Sequence, residues 1–164
     1  MSSGFKQMLL LKIPAKQGII AKRRSSHVYI FKTSGTTYGS VVGNQKHAFL
    51  GMPKEWYPGE WVLVSKNRKD CGYGKKQIQF IMMIDDIRPL RPGEAQKLWP
   101  GNEGRWRYLV ECRNGKHLQR PFDLADVIGP TKYYKEYHGV VTFKRLPHDD
   151  EDRVLEYLKK SGTI

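Results

Sequence analysis

Four short segments rich in β-branched and aromatic residues constrain the fold more than any other feature of the sequence. They are residues 27–32 (HVYIFK), 61–65 (WVLVS), 78–84 (IQFIMMI) and 105–112 (RWRYLVEC). Side chains of this kind pack well on a pleated surface, and polar connections containing Gly or Pro separate the segments. The sequence therefore predicts a sheet built from several short strands.

Weaker patterns add two more strands and two helices. Residues 124–128 and 140–143 are predicted to be strands, and residues 94–98 one or two helical turns. The clearest helix lies near residues 149–161, where acids fill the first turn, an apolar stripe follows, and Gly162 marks the end. Several strands with few helices predict an α+β fold, a small curved β-barrel of about six strands with flanking helices.

Polar segments connect these elements. Residues 33–37 (TSGTT) are predicted to form a loop, and Asp85-Asp86 to end the third strand at a turn. Residues 1–26 contain two short apolar pieces separated by Pro14. This pattern favours a strand pair or an arm packed against the domain formed by residues 27–164.

Charge is the second constraint. The chain of 164 residues carries 29 Lys and Arg against 16 Asp and Glu, a net charge of +13 at neutral pH. Such an excess repels itself in a compact fold, which indicates an external counter-charge: nucleic acid, an anionic membrane or an acidic protein. No run of about 18 apolar residues occurs, and the N-terminal apolar stretch is too short for a signal peptide. Two cysteines are too few for a disulfide scaffold and are typical of a reducing cytoplasm.

Nucleic acid is the predicted partner, and no membrane partner is expected. A membrane-binding chain gathers its cations on an amphipathic helix, whereas here they are scattered through the predicted strands and loops. The residues predicted to hold phosphates are Lys32, Lys46, Lys66, Arg68, Lys69, Lys75, Lys76, Arg105 and Arg107.

No arrangement of residues typical of catalysis or metal binding is visible in the sequence. The segment GYGK at residues 72–75 lacks the spacing and the Ser or Thr of a phosphate-binding loop. The five histidines match no metal-ligand spacing, and Ser65, Asp85 and a histidine lack the context of a nucleophile elbow. The sequence therefore predicts a non-catalytic domain without metal or cofactor.

Two tryptophans flank a polar loop in the segment LWPGNEGRW. An indole in such a loop, close to cations, offers a flat surface on which a base can stack, worth roughly 1–3 kcal/mol per base. We therefore interpret Trp99 and Trp106 as two walls that sandwich one extruded base, where a methyl group would add apolar contact. The alternative is that Trp99 covers the core and Trp106 belongs to it.

The order of the segments resembles the YTH and EVE domains of the PUA-like superfamily. The similarity extends over residues 27–160 and rests on HVYIFKTS (27–34), WVLVSKN (61–67) with QFIMMI (79–84), LWPGNEGRWRYLVEC (98–112) and RLPHDDEDRVLEYL (145–158). The resemblance implies a PUA-like curved barrel with flanking helices and a site for a modified base.

The resemblance also implies residue roles. Trp99 and Trp106 match the paired cage tryptophans of YTH domains, and Ser34 and Tyr38 fall near positions that contact the base edge. The predicted base-binding residues are Trp99, Trp106, Ser34, Tyr38, Thr33 and Asn44. The segment YGSVVG at residues 38–43 lacks the tryptophan that the family carries there, so the third cage residue and the identity of the base stay open.

Similar basic domains occur at the N-terminus of archaeal McrB-type proteins, the motor subunits of modification-dependent restriction systems. By this resemblance the favoured function is the specificity module of such a system, fused to an AAA+ motor that oligomerises. The module would flip a methylated base, methyladenine before methylcytosine, out of a DNA duplex. The first alternative is an RNA reader of methyladenosine or structured RNA. The others are an RNA-modifying enzyme with a PUA-like core and a module that docks on ribosomal RNA without reading a base.

Overall fold

Six strands form a single mixed sheet within residues 27–51, 53, 55–101, 106–139 and 143–164, which the computed structural model describes. The strands are β1 (Val28–Thr33), β2 (Lys46–Phe49), β3 (Trp61–Lys66), β4 (Ile78–Pro89), β5 (Tyr108–Phe122) and β6 (Phe143–Arg145). The helices are α1 (Gly35–Asn44), α2 (Arg68–Cys71), α3 (Glu94–Leu98), α4 (Leu124–Ile128), α5 (Pro130–Glu136) and α6 (His148–Lys160). The strand pair or arm predicted for residues 1–26 lies outside the described residues.

The sheet has the strand order β2-β5-β4-β3-β1-β6. Only β1 and β3 are parallel among these neighbours, and the pairing register shifts three times between β4 and β5. Such shifts bend a sheet. The bend brings the two outermost strands together, since the rings of Phe49 in β2 and Phe143 in β6 stack with centroids 4.9 Å apart. The predicted α+β fold, a curved sheet of six strands with flanking helices, is confirmed.

Both faces of the sheet are covered, because successive side chains of a strand point to opposite sides. Strand β1 is buried along its whole length. Ile30 packs on the side of α4, α5 and α6, whereas Phe31 points into the concave side together with Phe49. The concave core and the core under the three helices are therefore separated by the sheet itself.

The helices agree with the sequence in two places and differ in two. The C-terminal helix and the short helix at residues 94–98 are confirmed as α6 and α3. The strand predicted at residues 124–128 is wrong: the segment is α4, whose start is stabilised by a capping box of Asp123 and Asp126. The loop predicted at residues 33–37 is wrong because α1 already begins at Gly35. No helix in the described part of the chain is long and apolar enough to cross a bilayer.

Three strand boundaries differ from the prediction. Strand β4 does not end at Asp85-Asp86 but continues to Pro89, since Asp86 pairs with Glu111 of β5 after a register shift. Strand β5 begins at Tyr108 rather than at residue 105, and residues 102–105 lie outside the described residues. Of the strand predicted at residues 140–143, only Phe143 is described, and it begins β6.

Candidate nucleic-acid interface

Helix α1 connects several of the predicted base-binding residues. It follows β1 directly, after Ser34 in extended conformation (φ −88°, ψ 165°), and is terminated by Gln45 in the left-handed conformation (φ 53°). Its sequence, GTTYGSVVGN, has no charged residue and three glycines, so its own helix propensity is low. Val41, fully buried in the concave core, anchors α1 to the sheet.

Thr36, Ser40 and Asn44 line one face of α1, because residues four apart are neighbours on a helix. The hydroxyls of Ser34 and Thr36 are 2.9 Å apart, and the Asn44 amide donates to the Ser40 carbonyl at 3.0 Å. The Ser40 hydroxyl donates to the Leu98 carbonyl at 2.7 Å, which ties α1 to the end of α3. Ser34, Thr36, Ser40 and Asn44 form a row of uncharged polar groups that we call the α1 stripe.

A cleft of about 430 Å³ opens between the end of α1, the start of β2 and the segment that leads into α3. It is lined by Asn44, Lys46, Arg91, Pro92, Gly93, Glu94, Lys97 and Leu98. Three of these are cations, Lys46, Arg91 and Lys97, and none of the three forms an ion pair within the described residues. We call this the basic cleft.

The acid that lines the basic cleft is already engaged. The Glu94 carboxylate accepts hydrogen bonds from the Arg88 guanidinium at 2.9 and 2.6 Å and from the Arg91 backbone N–H at 3.0 Å. The hydrogen bonds from Arg88 lower the pKa of Glu94 to about 2. Arg88 also donates to the Glu111 carboxylate at 3.2 Å, so its single charge is shared between two acids. The cleft lining still carries three cations, Lys46, Arg91 and Lys97, against the one acid Glu94, and this excess favours an anionic ligand.

Trp99 follows Leu98 in the chain but does not itself line the basic cleft. Its side chain is 3 % exposed and packs with Ala48 and Leu109 at the β2–β5 edge. Leu98, which lines the cleft, and the half-buried Trp106 pack against the same cluster. The structure thus brings the two predicted cage tryptophans into one cluster. A base could lie between them only after Trp99 left Ala48 and Leu109, so in this conformation Trp99 covers the core.

Tyr38 lies on the opposite flank of α1, about 200° around the helix from the α1 stripe. The Lys66 ammonium is 4.4 Å from the centroid of its ring, a cation–π contact. The Tyr38 hydroxyl is buried without a hydrogen-bond partner among the described residues, and so is Oδ2 of Asp70. Burial first, and then nearby Cys71, raises the pKa of Tyr38, so its hydroxyl stays protonated. A ligand that offered hydrogen bonds here would satisfy two groups that folded proteins rarely leave unpartnered.

Lys32 and Thr33 do not reach the surface, because both lie in the fully buried strand β1. Lys32 is 7 % exposed, and its ammonium donates to the Tyr133 hydroxyl at 3.3 Å. Thr33 is 2 % exposed, and its hydroxyl donates to the Ser65 carbonyl at 3.2 Å. In this conformation the two residues brace β1 against its neighbours.

The other predicted phosphate contacts differ in how far they are neutralised. Arg68 pairs with Asp123 at 2.8 Å, and Lys76 pairs with Asp126 at 3.0 Å. Arg105 lies outside the described residues. Among these predicted contacts, three are exposed and form no ion pair in the described part of the chain: Lys69, Lys75 and Arg107.

Sequence analysis missed Ser40, Arg91 and Lys97, which lie in or beside the basic cleft. The available signal was the four-residue spacing of Thr36, Ser40 and Asn44, which places them on one helix face. The glycines and β-branched residues of α1 hide that signal, because they favour other conformations. Arg91 and Lys97 have no distinguishing pattern in the sequence.

One group of potential metal ligands occurs in the described residues, at the start of α6. Ligand atoms of His148, Glu151 and Asp152 lie within 4.8 Å of one another. The imidazole of His148 already forms an ion pair with Asp152 at 3.6 Å. The positive end of the α6 dipole also opposes a cation at this place. The group therefore fits an i,i+4 side-chain pair with acids placed at the positive end of a helix dipole better than a metal centre.

Comparisons with known proteins place the fold. No protein-family model and no curated protein matches the sequence. The ASCH structure from Zymomonas mobilis superimposes on 79% of this chain and 94% of its own, with a TM-score of 0.51 and 8% identity. The YTH domain of the Zygosaccharomyces rouxii MRB1 protein, in complex with N6-methyladenosine RNA, superimposes on 82% of this chain and 88% of its own, with a TM-score of 0.52 and 11% identity. The chain has a PUA-like fold. At such identities the likeness concerns the fold alone.

Proposed function

We propose that this chain is a nucleic-acid-binding module that reads a modified base, and that the base binds in the basic cleft. The observation that carries the proposal is the composition of the cleft: three cations against one acid that is already paired with Arg88, together with an exposed amide and the apolar side chains of Pro92 and Leu98. The fold adds support, because the YTH domain of MRB1, which shares it, is in complex with N6-methyladenosine RNA.

The size and lining of the basic cleft suit one nucleobase and its phosphate. Its volume of about 430 Å³ lies within the roughly 300–1,000 Å³ of ordinary small-molecule sites. The Asn44 amide, once its NH2 group leaves the Ser40 carbonyl and hydroxyl, offers a donor and an acceptor together, the pattern that pairs with the N6 and N7 edge of adenine. Pro92 and Leu98, which line the cleft, supply apolar surface for the face of the base and for a methyl group.

A base reaches the cleft only after it leaves its own stack. Flipping costs a few kcal/mol and costs least in an unpaired strand. Lys46, Arg91 and Lys97 would hold the flanking phosphates, so binding weakens as salt increases. The ten residues of α1 span about 15 Å, roughly four nucleotides of one strand. Lys66 and Lys69, near the other end of α1, continue the same track of cations.

We favour DNA carrying methyladenine as the ligand, bound by a non-catalytic specificity module of the McrB type that acts with an AAA+ motor in the cytoplasm. A reader of methylated RNA is the second candidate, since the YTH domain of similar fold is in complex with RNA. The two differ at the 2′-hydroxyl, which lets a protein distinguish RNA from DNA.

The proposal is tested with matched DNA and RNA oligonucleotides, each with and without one N6-methyladenine, by fluorescence anisotropy at several salt concentrations. We expect the wild type to prefer the methylated member of a pair. The double variant Lys46→Glu/Lys97→Glu should lose most of its affinity and about one unit of salt slope per lysine. The matched control Lys159→Glu/Lys160→Glu, two exposed lysines of α6, should bind almost as the wild type does. Equal affinity of the two double variants would show that the cleft is not the site.

Asn44 provides the second test, because it is exposed and lines the basic cleft, although its amide also donates to the carbonyl and the hydroxyl of Ser40. Asn44→Ala should reduce the preference for adenine over another base at the position that is read by about 1–3 kcal/mol, the range for one good bidentate contact to a base. The preference for a methylated over an unmodified adenine should change little, because the methyl group contacts apolar side chains instead. Unchanged discrimination would contradict base reading by this amide.

A further inference from the structure

The loop between α2 and β4 carries a fully exposed tyrosine at its tip. Tyr73 stands between Gly72 and Gly74, and its side chain is the most exposed large hydrophobic side chain among the described residues. Both glycines have positive φ values, 86° and 75°, which residues with a side chain rarely adopt. The glycines therefore set the backbone path that holds the ring out into solvent.

The base of this loop is braced, although its tip has no packing partner. The Arg68 guanidinium donates to the Lys75 carbonyl at 2.8 Å and to the Asp123 carboxylate at 2.8 Å. The Cys71 thiol donates to the same Lys75 carbonyl at 3.3 Å, and the Lys75 N–H to the Gly72 carbonyl at 3.2 Å. These bonds give the ring a defined position without using the ring itself.

Two unpaired cations flank the tip. Lys69 and Lys75 are exposed and form no ion pair within the described ranges. Helix α2, which leads into this loop, lies against the start of α1, since a Cβ at Gly35 would lie 3.2 Å from the Cβ of Asp70. An aromatic face between two lysines, continuous with the cations beside α1, is the combination that single-stranded nucleic acid recognises: stacking for a base and positive charge for its phosphates.

We propose that Tyr73 is a second base-stacking residue, which binds an unpaired base of the same strand whose modified base enters the basic cleft. The inference rests on the proposed function and deepens it by naming the ligand as a single strand, or one strand of an opened duplex, that extends beyond α1. A protein partner is disfavoured because the lysines beside the ring match a polyanion. The exposure of the ring excludes a role in the stability of the fold.

The test is a double-mutant cycle between Tyr73 and individual bases of a single-stranded oligonucleotide. The base is removed at one position at a time, and affinity is measured by anisotropy for the wild type, Tyr73→Ala and Tyr73→Trp. Tyr73→Ala should weaken binding about 5- to 150-fold, the range for loss of one base–aromatic stack, and Tyr73→Trp should bind at least as well as the wild type. At one abasic position the wild type should lose a similar factor, whereas Tyr73→Ala should lose almost nothing more.

Tyr134→Ala is the matched control, because Tyr134 is an exposed tyrosine on α5. It should bind all oligonucleotides as the wild type does, and all variants should have the same melting temperature. The inference is overturned if Tyr73→Ala retains wild-type affinity, or if its loss is the same at every abasic position. Those results leave the proposed function intact, provided the wild type still prefers a methylated oligonucleotide. A wild type that binds no oligonucleotide overturns both.

Discussion

Helices α1 and α6 pack against opposite faces of the sheet and are built in opposite ways. Helix α6 carries acids in its first turn and Lys159 and Lys160 in its last, which matches its dipole, and it buries Val154 and Leu158. Helix α1 has no charged residue and buries Val41 alone. Helix α6 is specified by its own sequence, whereas α1 depends on the contacts that surround it.

The surroundings of the two helices differ in the same way. Near α4, α5 and α6 two cations have carboxylate partners, Lys76 with Asp126 and Lys132 with Asp150 at 2.6 Å, although Lys135, Arg153 and Lys159 form no ion pair with a described residue. Near α1, Lys46 and Lys97 have none within the described part of the chain. The three cations that line the basic cleft therefore lie beside the helix whose own sequence signal is weaker. This difference suggests that stability resides on the α6 side and binding on the α1 side.

The largest expected effect comes from shortening a buried side chain on each side of the sheet, which tests whether stability and binding reside on different sides. Leu158→Ala, at a fully buried position under α6, should lower the free energy of unfolding by about 2–5 kcal/mol and leave oligonucleotide affinity unchanged. Val41→Ala removes less apolar surface, so it should cost about 2 kcal/mol, yet it should weaken binding because it loosens α1. Urea denaturation and anisotropy on the same samples measure both quantities. If Leu158→Ala lost more affinity than Val41→Ala, binding would depend on the α6 side and not on the α1 side.

The next effect is a loss of stability in acid, caused by the buried His47. His47 follows α1 in β2, is buried, and bonds through Nε2 to the Lys32 carbonyl at 3.2 Å. Burial lowers its pKa from 6.5 to about 4. Between about pH 6.5 and pH 4 the imidazole is therefore protonated in the unfolded chain and neutral in the folded one. Because the unfolded chain binds the extra proton, the free energy of unfolding falls by about 3 kcal/mol as the pH falls through this range.

His47→Gln keeps an N–H donor and removes the titration. We expect its free energy of unfolding, from urea denaturation at several pH values, to decline less than that of the wild type between about pH 6.5 and 4. Parallel curves for the two proteins would show that His47 does not cause the acid sensitivity of the α1 side.

The smallest effect concerns the glycines of α1. A Cβ at Gly39 or Gly43 meets no atom within 4 Å, and neither residue has a positive φ. Each Gly→Ala change should therefore stabilise the protein by about 0.5–1 kcal/mol. Gly35→Ala is the internal control: its Cβ would crowd Asp70 at 3.2 Å, so it should gain nothing. Equal gains at Gly35 and Gly39, measured by thermal unfolding, would contradict the described packing of α1 on α2.

The sequence predicts those parts of the molecule whose signals are local. The strands around β1, β3 and β4 have continuous apolar runs, and α6 has its own caps and apolar stripe, so each was recognisable alone. Helix α1 was not, because its glycines and threonines favour other conformations and its helix is imposed by Val41 and the Ser40–Leu98 bond. Helix α4 was missed because five residues read equally well as a strand.

The residues of the candidate site differ in the same way in how far the sequence predicts them. Asn44 and Lys46 were predicted and line the basic cleft, whereas Arg91 and Lys97 reach it through a fold that brings distant segments together. The burial of Lys32 and Trp99 also depends on tertiary packing. Lys32 is buried because β1 is covered on both faces, and Trp99 is buried because it packs at the β2–β5 edge; neither arrangement has a local signal in the sequence.

The stack of Phe49 on Phe143 has a consequence for biosynthesis. The outer edge of β1 is covered by β6, which also carries Phe143, the residue that stacks on Phe49. Strand β6 is translated after the five other strands. On the ribosome, β1 therefore presents a row of free amide and carbonyl groups until nearly the whole described chain has emerged. Slow translation after β5 would lengthen that interval and increase aggregation, so codon choice in this stretch should govern the soluble yield.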